Sequence, residues 1–115
     1  MPTTFHDREQ AFEAKFAHDE EFRFLVAARR DKLFARWAAG KLGLSGEKSE
    51  ALVKIVMAIP DGPGHDEALF QHILGLFSVH DVSAERKDLS IALEQNAKQA
   101  RQQLIDMPTR HSDAS

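Results

Sequence analysis

The chain has 115 residues, no cysteine and a formal net charge of −3, with 43% hydrophobic and 29% charged residues. That length suits one domain with a single core, and that balance excludes wholesale disorder. Without cysteine there is no disulfide framework, no thiolate catalysis and no sulfur-ligated zinc, and the small negative charge argues against a nucleic-acid partner.

The first predicted element runs from about Thr4 to about Ala39. Thr4 and Asp7 have the spacing of a capping box, in which a hydroxyl and an acid three residues on satisfy the orphan N–H groups of a helix start. Phe5, Phe12 and Phe16 fall on one helical face. That face then meets Asp19, Glu20 and Arg23, where unpaired buried charge would be costly. A second apolar stripe follows: Phe22, Val26, Leu33 and Trp37. The charge changes at the same place. Up to Glu21 there are six acids to two bases, whereas residues 22–41 carry six bases and one acid, Asp31. The two stripes are therefore expected to bury against different things.

Gly40 and Gly43 stop the first element. The second is expected from Ser45, as N-cap, to about Ile59, with Leu52, Ile55, Val56 and Ile59 on one face. Pro60 and Pro63 in "PDGPG" break the chain. A third helix spans about Asp66 to Val79. Its wide apolar arc (Leu69, Phe70, Ile73, Leu74, Leu76, Phe77) places it at the centre of the core. A fourth begins near Ser83 with Glu85 in its first turn, and Leu89, Leu93, Ala97, Ala100, Leu104 and Met107 form its stripe. β-branched residues are sparse and no stretch alternates with period two, so the fold class is all-α. The predicted architecture is a four-helix bundle over residues 22–107, preceded by a labile partner-binding segment, 1–21, and followed by a frayed tail, 108–115.

The leading segment does not account for its own order. Burying three Phe side chains yields roughly 5–9 kcal/mol. Ordering some 15 residues costs on the order of 15 kcal/mol. Matched charges on a partner and backbone hydrogen bonds must supply the rest, which describes a segment that folds on binding.

The stretch "FHDREQAFEAKFAHDEEFRF", continued by "ARRDKLFARWAAGKLGLSG", resembles the zeta subunit family of alphaproteobacterial ATP synthases. The likeness is close through Phe5, Asp7, Arg8, Glu9, Phe12, Glu13, Lys15, Phe16, His18, Asp19 and Glu20, and continues through Arg29, Arg30, Lys32, Trp37 and Gly43. It covers the first half closely and the second half by helical pattern and length. The resemblance implies a helical bundle whose N-terminal segment enters a catalytic interface of the synthase's soluble head and blocks ATP hydrolysis as a one-way wedge. It implies that Phe5, Phe12 and Phe16 fill apolar pockets. Arg8, Glu9, Glu13 and Lys15 would pair with the catalytic and central stalk subunits, and Asp7, His18, Asp19 and Glu20 would complete the docking segment. "FLVAARRD" is more apolar than the family's charged stretch there, and "MAIPDGPGHDEALFQHI" lacks an acidic loop. Some family members bind adenine nucleotides on the bundle. Here no resident cofactor is expected, with weak ATP or ADP binding left as an alternative in which the chain is a nucleotide sensor or a helical adaptor.

Other chemistries find little support. "GLSGEKS" lacks the G-x-x-x-x-G-K-[ST] spacing of a phosphate loop and follows no strand. The histidines show no H-x-x-x-H or H-E-x-x-H pattern, so no metal is expected. Glu9 and Glu13 read as solvated charges with no nucleophile beside them, so the chain is not expected to be an enzyme. The basic strip Arg29, Arg30, Lys32 and Arg36 lacks the aromatic interleaving of an RNA or lipid surface. His6 and His18 flank the Phe stripe, so protonation is expected to alter insertion. The acidic start has no signal-peptide h-region and no run nears the roughly 18 apolar residues of a membrane span. The chain is expected to be a cytoplasmic monomer when free, held peripherally at the inner membrane through the synthase.

Overall fold

The computed structural model describes residues 19–107. Within them lie four helices and no strand: α1 (Glu20–Lys41), α2 (Gly46–Met57), α3 (His65–Val79) and α4 (Arg86–Asp106). The all-α four-helix architecture read from the sequence is what the described residues adopt. Thr4, the Phe5–Phe12–Phe16 ridge and the tail after Met107 lie outside the described residues.

The charge interruption marks a helix start. Asp19 is extended (φ −82°, ψ 110°) and its Oδ1 accepts the Phe22 N–H at 3.1 Å. A short acid at this position satisfies an orphan donor, and Glu20 and Glu21 in the first turn complement the helix dipole. The sequence reading of one helix from Thr4 to Ala39 therefore fails at Asp19.

Two turns share one geometry. At the end of α1, Gly43 adopts a left-handed φ of +74°. The Leu44 N–H donates to the Ala39 carbonyl at 2.8 Å and the Gly43 N–H to Gly40 at 3.1 Å. This is a Schellman closure, and the half-buried Leu44 packs on the core as that motif favours. The end of α3 repeats it without glycine. Asp81 takes φ 58°, Val82 N–H donates to Phe77 at 2.8 Å, and Asp81 N–H donates to Ser78 at 3.3 Å. The chain has then turned before Ser83, so α4 starts three residues later than expected. Its cap is Glu85, whose backbone N–H donates to the Asp88 carboxylate at 2.9 Å. Ser45, at the start of α2, makes no side-chain cap bond.

Most inter-helix packing runs through α1, which meets both α2 and α4. The expectation that the third helix sits at the centre is thus corrected. Helix α3 supplies one wall of the core through Leu69, Phe70, Ile73 and Phe77. The apolar face of α1 is corrected as well. Its fully buried apolar residues are Phe34, Ala35, Ala38 and Ala39, while Phe22, Val26, Leu33 and Trp37 are half-buried. Alanines at these positions let two neighbouring helices approach closely. On α2, Leu52, Val53 and Val56 are buried and Ile55 is exposed. An aromatic group ties the helices together. The Phe34 ring stacks on Trp37 (centroids 5.4 Å) and tilts against Phe70 (6.1 Å), while Trp37 meets Phe77 (6.0 Å).

Candidate functional site

Of the residues assigned to partner binding, Asp19 and Glu20 fall within the described chain. Phe5, Asp7, Arg8, Glu9, Phe12, Glu13, Lys15, Phe16 and His18 lie outside it, as does His6. Asp19 works as the N-cap of α1. Glu20 is exposed and pairs with Arg23 at 3.2 Å, an (i, i+3) surface pair worth a few tenths of a kcal/mol. The root of the segment is thus a helix terminus with its own cap. One turn further on, Phe24 is 58% exposed and Leu25 45% exposed, large apolar side chains that the bundle leaves uncovered.

The basic strip is largely engaged within the molecule. Arg29 donates to the Gln103 side chain on α4 at 3.1 Å, Arg30 pairs with Asp31 and Asp66 at 2.9 Å each, and Arg36 meets Glu50 on α2 at 3.5 Å. Lys32 remains exposed. These guanidiniums serve to fasten α1 to its neighbours.

Two arrangements were not read from the sequence. The first is a polar cluster under the loop between α2 and α3. Asp31, the one buried charged residue among those described, holds the His65 Nε2 at 2.6 Å through Oδ2. The His65 Nδ1 lies 2.8 Å from the Pro60 carbonyl oxygen. Burial alone would push this imidazole down. Its hydrogen bonds to Pro60 and Asp31 and the Asp31 charge outweigh that effect, Arg30 opposes them, and the net pKa lies above the ordinary 6.5. One signal was available: Asp31 is the single acid in a block of six bases.

The second is a cleft of about 260 Å³ lined by Trp37, Lys41, Ser83, Ala84, Asp88 and Ile91, among others. The Lys41 ammonium lies 5.8 Å from the centre of the Trp37 ring. Arg86 pairs with Glu67 and covers the Phe70 ring at 5.2 Å, tying α4 to α3. Among the described residues no group of three or more His, Asp or Glu is placed to hold a metal, and no helix is long and apolar enough to cross a membrane.

The family model described as ATPase inhibitor subunit zeta matches residues 2–103. This chain belongs to the ATPase inhibitor subunit zeta family. No match is found among curated proteins or among solved structures. By family, then, the chain is an inhibitor subunit with a regulatory role, and the ATP synthase is its partner. The zeta match spans both the N-terminal segment and all but the last turn of α4, so segment and bundle belong to one family unit.

Proposed function

We propose that this zeta-family chain inhibits ATP hydrolysis by inserting residues 1–21 as a helix at a catalytic interface of the synthase's soluble head. Phe5, Phe12 and Phe16 fill apolar pockets there. Arg8, Glu9, Glu13 and Lys15 pair with charges on the catalytic and central stalk subunits, and Asp7, His18, Asp19 and Glu20 complete the docking segment. A helix lodged in an interface that must close stops rotation without chemistry of its own. The protein is held peripherally at the membrane by that contact. The observation that carries the reading is the family match over residues 2–103. The cap at Asp19 supports it, since the Asp19 carboxylate closes the first turn of α1 by accepting the Phe22 N–H.

The test is ATP hydrolysis by the cognate soluble head, with and without the full-length chain. The wild-type chain slows hydrolysis. The Phe12→Asp, Phe16→Asp double variant weakens inhibition by roughly a hundredfold or more, because each apolar anchor is worth about 1.5–3 kcal/mol. Its melting temperature stays within a few degrees of wild type. Hydrolysis indifferent to the wild-type chain overturns the proposal. Unfolding of the double variant overturns the insertion mechanism, because the ridge would then be core.

A second reading, weak adenine-nucleotide binding, is favoured by the cleft at Trp37 and Lys41. An indole can stack on a base and an ammonium can meet a phosphate. The cleft's 260 Å³ falls below the roughly 300–1,000 Å³ of ordinary small-ligand sites, so affinity is expected to be low. Trp37 is the one tryptophan in the chain, so its fluorescence reports on the cleft directly. Quenching that saturates with ATP and disappears in Lys41→Ala supports this reading, and an unchanged emission removes it.

A further inference from the structure

Proton counting in the cluster under the α2–α3 loop leads beyond the inhibitor reading. The two groups that His65 touches, the Asp31 carboxylate and the Pro60 carbonyl, are acceptors. A neutral imidazole has one N–H and cannot serve both. Contacts of 2.6 and 2.8 Å at the two ring nitrogens require a proton at each, wherever the first sits between Nε2 and Oδ2. The His65 and Asp31 side chains are 10% and 6% exposed, so water is poorly placed to replace the contact between them, whereas Pro60 is exposed.

We propose that Asp31, His65 and the Pro60 carbonyl form a proton-operated latch, which holds the α2–α3 loop and the start of α3 against α1 while protonated and loosens when the proton leaves. On deprotonation one of the two contacts becomes acceptor against acceptor. If Nδ1 keeps its hydrogen for Pro60, the Nε2 lone pair faces Asp31. If Nε2 keeps it, the Pro60 carbonyl loses its donor. Either way one joint between the loop, α3 and α1 opens.

The charged surroundings set the extent of the change. From α1 the cluster meets Asp31 and Arg30. From α3 it meets Asp66 through Arg30, which bridges Asp31 and Asp66 at 2.9 Å each. Among the described residues no charged group of α2 or α4 has an ion pair or hydrogen bond with the cluster. The Arg30 bridge does not pass through the imidazole. It keeps α3 tethered to α1 after His65 releases, so the latch loosens locally and the bundle stays folded. Its direction follows from linkage. A histidine that binds its proton more tightly when folded contributes stability that is fully present below the unfolded pKa of 6.5 and is lost as pH rises through the folded pKa.

The experiment uses the full chain. A histidine-selective NMR titration of the wild type is expected to give His65 a midpoint above 6.5. Backbone shifts at residues 30–31 and 60–66 should move with the same midpoint. In parallel, the wild-type melting temperature is expected to fall by about 4–8 °C between about pH 6 and pH 9, relative to His65→Gln over the same range. Subtracting the variant removes whatever the two chains share, the five other histidines included. A His65 midpoint at or below 6.5, or the same pH slope in wild type and variant, overturns the latch. If His65→Gln does not fold, the wild-type titration decides alone, since a latch without a raised midpoint does not exist.

Discussion

Phe34→Ala is expected to lower the stability of the bundle by about 3–5 kcal/mol. Its ring is wholly removed from water and lies against Trp37 on its own helix and Phe70 on α3. Through Trp37 it also reaches Phe77. Truncation removes the transfer energy of the ring and leaves a void between two helices, and the neighbouring Ala35 and Ala38 have no side-chain length with which to fill it. A domain of this size has on the order of 5–10 kcal/mol in total, so the loss approaches half of it. At about 4–8 °C per kcal/mol the melting temperature falls by roughly 12 °C or more, read by helical circular dichroism during heating. The matched control is Phe24→Ala. The same residue type in the same helix is there 58% exposed, and its truncation should stay within about 0.5 kcal/mol. Equal effects at the two positions would mean that α1 presents a different face to its neighbours.

That contrast also separates what the sequence made legible from what it did not. Gly43 and the "PDGPG" stretch placed two turns well, because glycine and proline act locally on the backbone. The turn at Asp81 was missed because a non-glycine residue occupies the left-handed position, with no compositional mark. Asp19 was read as an interruption of an apolar face, since a charge run on a helix surface and an N-cap followed by first-turn acids look alike in one dimension. The α1 face was misplaced because Phe34 stands next to Leu33 in the chain and was left off the stripe, and because Ala35, Ala38 and Ala39 weigh little in a hydrophobic pattern although α1 buries them as fully as Phe34. The Asp31–His65 pair escaped for a different reason. The partners stand 34 residues apart and no periodicity links them. The docking residues before Asp19 were legible as a ridge with flanking charges and as a family likeness, and their chemistry belongs to a surface that this chain does not contain.

Deleting residues 1–18 is expected to abolish inhibition of ATP hydrolysis while leaving the melting temperature of the bundle within a few degrees of the full chain. The cut is placed by the cap. Asp19 closes the start of α1 through the Phe22 N–H, so a chain beginning just before it keeps that hydrogen bond and the favourable placement of Glu20 and Glu21 at the positive end of the helix dipole. Extending the deletion through Asp19 removes the cap and should cost a further 0.5–2 kcal/mol or so, visible as a lower melting temperature without any further loss of inhibition. The two truncations therefore divide the chain's work. The first reports on docking, because the removed segment carries Phe5, Phe12 and Phe16 and every charge assigned to the partner except Asp19 and Glu20. The second reports on helix nucleation. Full inhibition by the shorter chain would move the inhibitory surface onto the bundle, where the exposed Phe24 and Leu25 would be the first residues to substitute. A large drop in melting temperature on removing only residues 1–18 would instead mean that the Phe ridge packs on its own bundle, and that release of this packing must precede insertion.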